Sequence, residues 1–531
     1  MAGSMGVYLP TMLLHKALGL GRVLLFAYLL RQAAGEYGLW SLGVLLFSLL
    51  GPLMCLGSNH GLSRYVSAYE SAGRLREFYR RVRWGVLACG VSVAGVALAA
   101  SGPITRAVIA SCRGMSAADF HQQLMICWAA IANAFVLALY YNLLAFLGGM
   151  RLYRLVSAVE IACGVLFAAL GAAGLLLAPT GLALLAAHLA AVTVALAGGV
   201  ALLHVAVGRE GAVVGSGESP PPAAPDLEPA LVETAAEGGT TFTAEPALLA
   251  GRGAEARGGF LRVLRFGLVA LIGSELWTAA SHLSFWLTSH FHGTEAGEVF
   301  FVFRQLSEPI AFVCAAAWTV VFAHVVRHWE GGRKEQALAN LQTSFKAVSL
   351  GTMTLAVLVL LASPLWLRLL SPRWRQGASL LPAMLLFYQV TGNLGLLNMA
   401  AWLLKRPAIP LLPALAAGGL NLLLALLWLP AYRGVGAAWA AGVGMLIGGG
   451  GVAAACLLAS RLKLAPSTYV FLLMPAVLLL SLLWPAWAVG AVWAAVLVAA
   501  VATDWLFDRG QKALLLGLAR RAIGRLRNSR S

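Results

Sequence analysis

Four charged side chains stand inside long apolar stretches of the chain: Arg22, Glu275, Arg304 and Glu308. A charge at the middle of a bilayer costs at least about 2.5 to 3.5 kcal/mol, so such residues usually face a partner or a water-filled cavity. Arginine can hold a phosphate through two parallel hydrogen bonds, and a half-buried carboxyl group can bind and release a proton. We therefore interpret the arginines as substrate-binding residues for an anion and the glutamates as ion-coupling residues.

Arg22 continues a cationic stripe that begins with His15 and Lys16. Two roles remain open for Lys16: it binds substrate, or its long side chain simply reaches the membrane surface. Arg22 lies too deep in its apolar stretch to reach the surface, so we predict that it faces a cavity and binds substrate.

Glu275, Thr278 and His282 recur at helical spacing along one side of a predicted helix. This stripe predicts a hydrated face, on which Glu275 and His282 would take part in ion coupling. A structural ion pair between Glu275 and either Arg22 or Arg304 is the alternative.

Arg304 and Glu308 stand four residues apart, and Pro309 follows at once. The proline is expected to bend the helix, because it frees a backbone carbonyl. Glu308 is our second candidate for ion coupling, with a simple intrahelical pair to Arg304 as the alternative.

Neutral polar side chains also occur in the later helices. Gln389 and Asn393 could bind the hydroxyl groups of a sugar. The alternative is that they join helix to helix, which is the more common role of amides inside membrane proteins.

The elements that must position these residues are membrane helices. The chain has 531 residues, of which 60% are hydrophobic and 11% charged, and its mean hydropathy is +0.82, so it carries more apolar sequence than a soluble core could enclose. A membrane span needs about 20 mainly apolar residues. Because lipid offers backbone groups no hydrogen-bond partner, the predicted fold is all-α and polytopic. About fourteen stretches qualify: 11–33, 41–62, 85–110, 123–148, 155–178, 182–207, 266–290, 299–325, 347–370, 378–403, 408–431, 436–460, 466–485 and 488–507.

The chain contains two related halves. The segment GEYGLW from Gly35 recurs as GEVFFV from Gly297, and each copy precedes an apolar stretch and then a basic segment. Duplicated halves in an apolar chain of this length indicate a transporter whose substrate site lies between the repeats. The predicted organisation is an N-lobe at 1–208, a disordered cytoplasmic linker rich in Pro, Gly, Ala and Glu at 209–260, a C-lobe at 261–460, two further helices at 461–507 and a basic amphipathic tail at 508–531.

The net charge of +17 is explained by topology. Most Lys and Arg residues fall in segments that are cytoplasmic if the N-terminus is cytoplasmic, and this positive-inside bias predicts that both termini lie in the cytoplasm. The tail can lie on anionic lipid. It lacks the aromatic residues of a base-stacking surface, so we expect no nucleic-acid partner.

Sequence signatures of soluble enzymes are absent. There is no Walker loop, no HExxH or CxxC metal pair and no GxSxG elbow, and the seven cysteines are scattered. We therefore expect no enzyme activity, no cofactor and no metal site. An ion gradient or the membrane potential would then supply the driving energy, as in a secondary transporter.

Two blocks of sequence resemble a known family. The first is RQAAGEYGLWSLGVLLFSLLGPLMCLGSNHGLSRYVSAYESAG, and the second is GGLNLLLALLWLPAYRGVGAAWAAGVG. They are similar to the external turn and following helix, and to the helix 11 to 12 hairpin, of the polysaccharide-biosynthesis flippases of the O-antigen type. That superfamily also includes lipid II flippases and multidrug and toxin extrusion proteins. The matching positions are Gly35, Tyr37, Gly38, Gly61, Arg64, Asn421, Pro430, Gly434, Gly436, Ala437 and Ala438.

The resemblance implies two pseudo-symmetric six-helix lobes in a V, with two extra helices at the C-terminal end. It also implies a flippase that moves a lipid-linked saccharide, through its phosphate or diphosphate, across the bacterial cytoplasmic membrane by alternating access. Glycan polymerases and glycosyltransferases of the same pathway would be partners, besides membrane lipids. Two alternatives remain, a multidrug or cation antiporter of the same superfamily and a membrane glycan polymerase or ligase. The excess of buried arginine favours an anionic cargo.

Overall fold

The computed structural model describes residues 18–59, 62, 66, 69, 75–109, 117–150, 152–214, 259–330, 332–369, 372–404, 406, 408–460 and 462–513. Within these residues the chain is helical, with no strand. The prediction of an all-α polytopic membrane protein is confirmed.

Six main helices are described in the first half. They are α1 (Leu18–Leu29), α2 (Glu36–Cys55), α3 (Leu75–Ala99), α4 (Ala117–Gly149), α5 (Tyr153–Leu177) and α6 (Gly181–Val214). A short helix at Ser101–Ile104 and a π-helical turn at Thr105–Ile109 extend α3.

The second half repeats this order. It contains α7 (Gly259–His292), α8 in two pieces (Thr294–Ser307 and Pro309–Glu330), α9 (Lys334–Trp366) and α10 in two pieces (Leu381–Asn393 and Gly395–Leu403). The helix Leu411–Gly444 is interrupted at Arg433, where φ is 51°. We call the part before Arg433 α11; α12 is the part after it, continued by a π-helical stretch at Met445–Gly451 and by Val452–Ala459.

Two further helices follow. The helix α13 comprises Pro466–Leu473 and a 3-10 continuation at Met474–Leu482, and α14 comprises Ala486–Ala502. Each predicted apolar stretch thus corresponds to a described helix. At Pro309 the helix α8 is divided into two pieces, but Glu308 between them keeps helical dihedral angles, so the bend stays a prediction.

Nine of the described helical segments are long and apolar enough to cross a membrane, and three shorter apolar helices accompany them.

The predicted linker and tail lie mostly outside the described residues. Of the linker at 209–260, residues 209–214 and 259–260 are helical, because α6 continues to Val214 and α7 begins at Gly259. Of the tail at 508–531, only 508–513 are described.

The two halves meet along α2, and we call their interface the seam. We call the end of the bundle that carries Gly35 the external end, following the predicted orientation. There Gly38 packs so closely that a Cβ atom on it would overlap the carbonyl oxygen of Thr294 in α8. At the other, cytoplasmic end, Gly57 and Gly267 are in mutual backbone contact, and a Cβ on either would overlap the carbonyl oxygen of the other.

One continuous apolar core runs through both halves, with buried side chains such as Phe26, Leu42, Phe285, Phe303 and Phe345. In lipid such packing holds helices together by van der Waals contact, because lipid tails are as apolar as the side chains. The core therefore fixes the relative positions of the helices that carry the polar residues.

Candidate functional site

Three helices of the C-lobe bring a polar cluster together in the core. It consists of His282 in α7, Arg304 in α8 and Tyr388 in α10, and we call it the C-lobe cluster. The Nε of Arg304 donates to the hydroxyl oxygen of Tyr388 at 2.8 Å. The two terminal guanidinium nitrogens lie 2.6 Å and 2.9 Å from the ring nitrogens Nδ1 and Nε2 of His282.

The chemistry of imidazole limits how this cluster is arranged. A neutral imidazole has one nitrogen that accepts and one that carries a proton, so only one of the two ring nitrogens can accept a hydrogen bond from Arg304. Only 5% of Arg304 is exposed, and it also lies 6.0 Å from the ring of Phe301. The guanidinium is therefore a buried cation whose hydrogen-bond partners are neutral side chains.

Glu308 stands at the break in α8, half-buried, directly before Pro309. Its backbone N–H still donates to the carbonyl of Arg304 at 3.0 Å. Tyr388 lies within electrostatic range of both Arg304 and Glu308. The structure thus groups Glu308 with the C-lobe cluster.

Arg22 is held differently, in the N-lobe. Its guanidinium carbon lies 4.5 Å above the ring of Phe167 in α5, a cation–π contact. Phe167 belongs to an aromatic group with Phe26, Trp40 and His188. Arg22 is half-buried, and in the described part of the chain no carboxylate pairs with it.

Glu275 is the third charged site, in the middle of α7. The residue is half-buried, yet its Oε1 atom is fully buried and has no hydrogen-bond partner among the described residues. His282 lies two helical turns further along α7 and is engaged with Arg304. The predicted polar stripe therefore separates into a glutamate with one buried oxygen that has no donor among the described residues and an imidazole bound to Arg304.

Gln389 and Asn393 are completely buried and face other helices. The amide of Gln389 donates to Thr352 in α9 at 2.9 Å, and that of Asn393 donates to the carbonyl of Phe471 in α13 at 3.1 Å. These bonds correspond to the helix-joining role that the sequence left open as the alternative. Substrate contact stays a prediction for both residues.

Two residues, Tyr388 and Glu298, were not predicted from the sequence. Tyr388 precedes Gln389 in an apolar helix, and only its bond to Arg304 distinguishes it from a core aromatic residue. Glu298 is fully buried, and the repeated Gly-Glu pair was a usable signal for it. Lys16 lies outside the described residues. Within the described part, no three His, Cys, Asp or Glu side chains come close enough to hold a metal ion.

The fold is similar to that of several solved transporters. The lipid II flippase MurJ in an inward closed conformation matches with a TM-score of 0.61 at 11% identity, over 94% of this chain and 100% of that one. A MOP-superfamily transporter from Pyrococcus furiosus gives a TM-score of 0.57 at 13% identity, over 86% and 96%. The eukaryotic MATE transporter AtDTX14 gives 0.58 at 13% identity, over 89% and 98%.

Comparison at the level of sequence gives no match. No model of a protein family matches the chain, and no curated protein does so. At 11–13% sequence identity, the structural matches establish the fold and nothing about the substrate. The predicted superfamily resemblance is confirmed at that level: this chain is a helical, multi-pass membrane protein with the fold of the MOP-superfamily transporters.

Proposed function

We propose that the protein is a secondary transporter that flips a lipid-linked saccharide across the bacterial cytoplasmic membrane. It binds the phosphate or diphosphate of the lipid carrier and works by alternating access for cell-surface polysaccharide synthesis. Both termini lie in the cytoplasm, and glycan polymerases and glycosyltransferases are pathway partners. The observation that carries the proposal is Arg22, a deep cation without a carboxylate partner in the described part of the chain.

A guanidinium at membrane depth needs a counter-charge. The ring of Phe167 lies 4.5 Å from the guanidinium carbon of Arg22 and carries no oxygen that could accept from its N–H donors, so these donors need another ligand. Two parallel N–H donors match two oxygens of a phosphate. The phosphate of the cargo therefore supplies the missing anion while it crosses the membrane.

The buried Arg304 adds to this preference. Its hydrogen-bond partners, His282 and Tyr388, carry no negative charge, so the C-lobe contributes positive potential. A cationic drug would be repelled by the two arginines, which argues against the multidrug antiporter. The fold shared with transporters argues against the polymerase or ligase.

The seam contacts suggest how access alternates. The helix α2 touches the second half by close backbone contact at both ends, at Gly38 with Thr294 and at Gly57 with Gly267. Opening one end requires separation of one contact while the other remains as a pivot. Glycine permits this close approach because it has no Cβ atom.

Glu275 is our first candidate for ion coupling. Its buried Oε1 has no donor in the described part of the chain, and such an oxygen is relieved by a bound proton or cation. Glu308 remains the second candidate. His282 can take part only when it releases Arg304, because a protonated imidazole has no acceptor for the guanidinium.

The test is flipping in proteoliposomes, with a polyprenyl-diphosphate saccharide as the probe. Arg22→Gln should reduce the flipping rate at least about tenfold, and Arg22→Lys should restore only part of it, because lysine binds phosphate as a point charge. Arg31→Gln is the matched control, since Arg31 is exposed and lies 4.3 Å from the ring of Tyr28.

An equal rate for Arg22→Gln and Arg31→Gln would exclude Arg22 from the mechanism. A cationic dye added as a competitor should leave the wild-type rate unchanged. Export of that dye, together with no flipping of the saccharide, would favour the multidrug antiporter instead.

A further inference from the structure

The Gly-Glu pair that marks the repeat has two different uses. The copies are Gly35-Glu36 at the start of α2 and Gly297-Glu298 in α8. Both carboxylates accept hydrogen bonds at the external end of the bundle. They differ in whether those bonds stay within one lobe or cross the seam.

Glu36 binds inside the N-lobe. Its Oε2 accepts from the backbone N–H of Gly181, the first residue of α6, at 2.7 Å, and its Oε1 accepts from the amide of Gln122 in α4 at 3.1 Å. Glu36 is half-exposed. It therefore neutralises the positive end of α6 while remaining in contact with water.

Glu298 crosses the seam. Its Oε2 accepts from the backbone N–H of Gly35, the residue that caps α2, at 3.1 Å, and its Oε1 accepts from the indole N–H of Trp374 at 3.0 Å. Gly35 has a positive φ of 83°, and a Cβ on it would lie 2.8 Å from the hydroxyl of Thr294. Tyr37 packs on Trp374, with ring centroids 6.0 Å apart. Glu298 itself is 0% exposed.

The two donors favour an ionised carboxylate. Both Gly35 and Trp374 donate an N–H, and an ionised carboxylate offers an acceptor oxygen to each. Addition of a proton removes the negative charge and turns one oxygen into a hydroxyl, which is a weaker acceptor. One of the two bonds is therefore weakened, and a buried donor without a good acceptor is costly.

We propose that Glu298 is a proton-binding site that controls the external end of the seam: the ionised carboxylate holds this end closed, and a proton taken from the external water releases it. This inference rests on the proposed alternating-access function. It assigns to Glu298 a role that is separate from ion coupling. We call the contact of Glu298 with Gly35 and Trp374 the external latch.

Several charged or titratable residues belong to the elements that carry the external latch or pack against them. Tyr37 of α2 lies within electrostatic range of both Glu298 and Arg22 of α1. Arg375, next to Trp374, is exposed and donates to the carbonyls of Leu367 and Arg368. The remaining residues of this kind on the adjoining elements are Glu36 on α2, His290 and His292 on α7, and Glu295 and Arg304 on α8, and Arg373 precedes Trp374 in the sequence.

The direction of the effect distinguishes the external latch from the coupling site. An antiported proton must favour the return of the empty carrier to its inward-facing state. A proton on Glu298 has the opposite effect, because it weakens closure at the external end. Acidity outside should therefore hold the carrier open to the outside, whereas Glu275 and Glu308 are the candidates for the transported ion.

Amide hydrogen exchange followed by mass spectrometry tests the external latch in the full-length protein. Peptides that cover residues 31–43 report the external end, and peptides that cover residues 53–59 report the cytoplasmic end. After correction for the pH dependence of free amides, acidification should speed exchange at the external end about tenfold, equal to about 1.4 kcal/mol. The cytoplasmic end should not change.

Glu298→Gln mimics the protonated carboxyl group, because its amide keeps one acceptor and adds a donor. The variant should exchange rapidly at the external end at both neutral and acidic pH. Glu36→Gln is the matched control: it should speed exchange in the first turn of α6 and keep the wild-type pH effect at α2.

Trp374→Phe is the second variant, for the case in which Glu298→Gln does not fold. It removes one donor, so a protonated Glu298 can still accept from Gly35, and the pH effect should shrink. A wild-type pH effect that persists unchanged in the folded variants would overturn the external latch. The exchange measurement needs no saccharide, so its result does not depend on whether the proposed cargo is correct.

Discussion

The two lobes hold their deep arginines in different ways. Arg22 in the N-lobe rests on the ring of Phe167 and is half-buried, whereas Arg304 in the C-lobe is buried and bonded to His282 and Tyr388. A charge at membrane depth is therefore not by itself evidence of a binding site. What distinguishes the two arginines is whether their N–H donors already have acceptors in the described part of the protein.

The largest expected effect is on stability, from Arg304→Met. The change leaves the hydroxyl of Tyr388 and the ring of His282 buried without their partner, so we expect a loss of about 3 kcal/mol in the free energy of unfolding. Arg22→Met should cost less than about 1 kcal/mol but abolish flipping. Denaturant unfolding in detergent measures both. Equal costs for the two variants would remove the distinction between the lobes.

A smaller effect is expected from Tyr388→Phe, which takes one acceptor from Arg304 and keeps the ring in the core. A hydrogen bond to a charged group contributes about 1.5 to 3 kcal/mol, so the unfolding free energy should fall by about 1.5 kcal/mol. Tyr28→Phe is the control, since Tyr28 is 56% exposed and contacts Arg31. If both changes have the same cost, the hydroxyl of Tyr388 is not a structural acceptor for Arg304.

The smallest effect on stability is expected at Asp504, which pairs with Lys512 and Arg509 near the surface, in contrast to the two deep arginines. Hydrogen bonds from Lys512 and Arg509 hold the pKa of Asp504 below its usual value. A lowered pKa in the folded state stabilises the folded segment above the unfolded pKa of about 3.9, and this contribution disappears as the pH falls through the folded pKa. Asp504→Asn should therefore destabilise the protein slightly at neutral pH.

In strong acid the unfolding midpoints of wild type and Asp504→Asn should coincide, because the wild-type carboxyl group is then also neutral. A difference of the same size at neutral and acidic pH would show that the side chain acts by packing. The cost should remain well below that of Arg304→Met, since solvent screens exposed ion pairs.

Part of the candidate site could be predicted from residue type and depth alone. Arg22, Glu275, Arg304 and Glu308 stand out because a charge in an apolar stretch is costly wherever the helix packs. The sequence did not distinguish between the alternatives for Gln389 and Asn393. Their hydrogen-bond partners, Thr352 and Phe471, lie on other helices, and the sequence around Gln389 and Asn393 does not identify those partners.

The helices and their order could be predicted from the apolar stretches alone, because lipid requires each stretch to satisfy its own backbone, and the duplication is visible in the repeated segments. Which charges find a partner depends on tertiary contacts. Arg304 meets His282 across 22 residues and Tyr388 across 84, and Glu298 meets Gly35 across 263. The physical reason is that hydropathy is a property of each segment, whereas a hydrogen bond depends on where two distant segments come to lie.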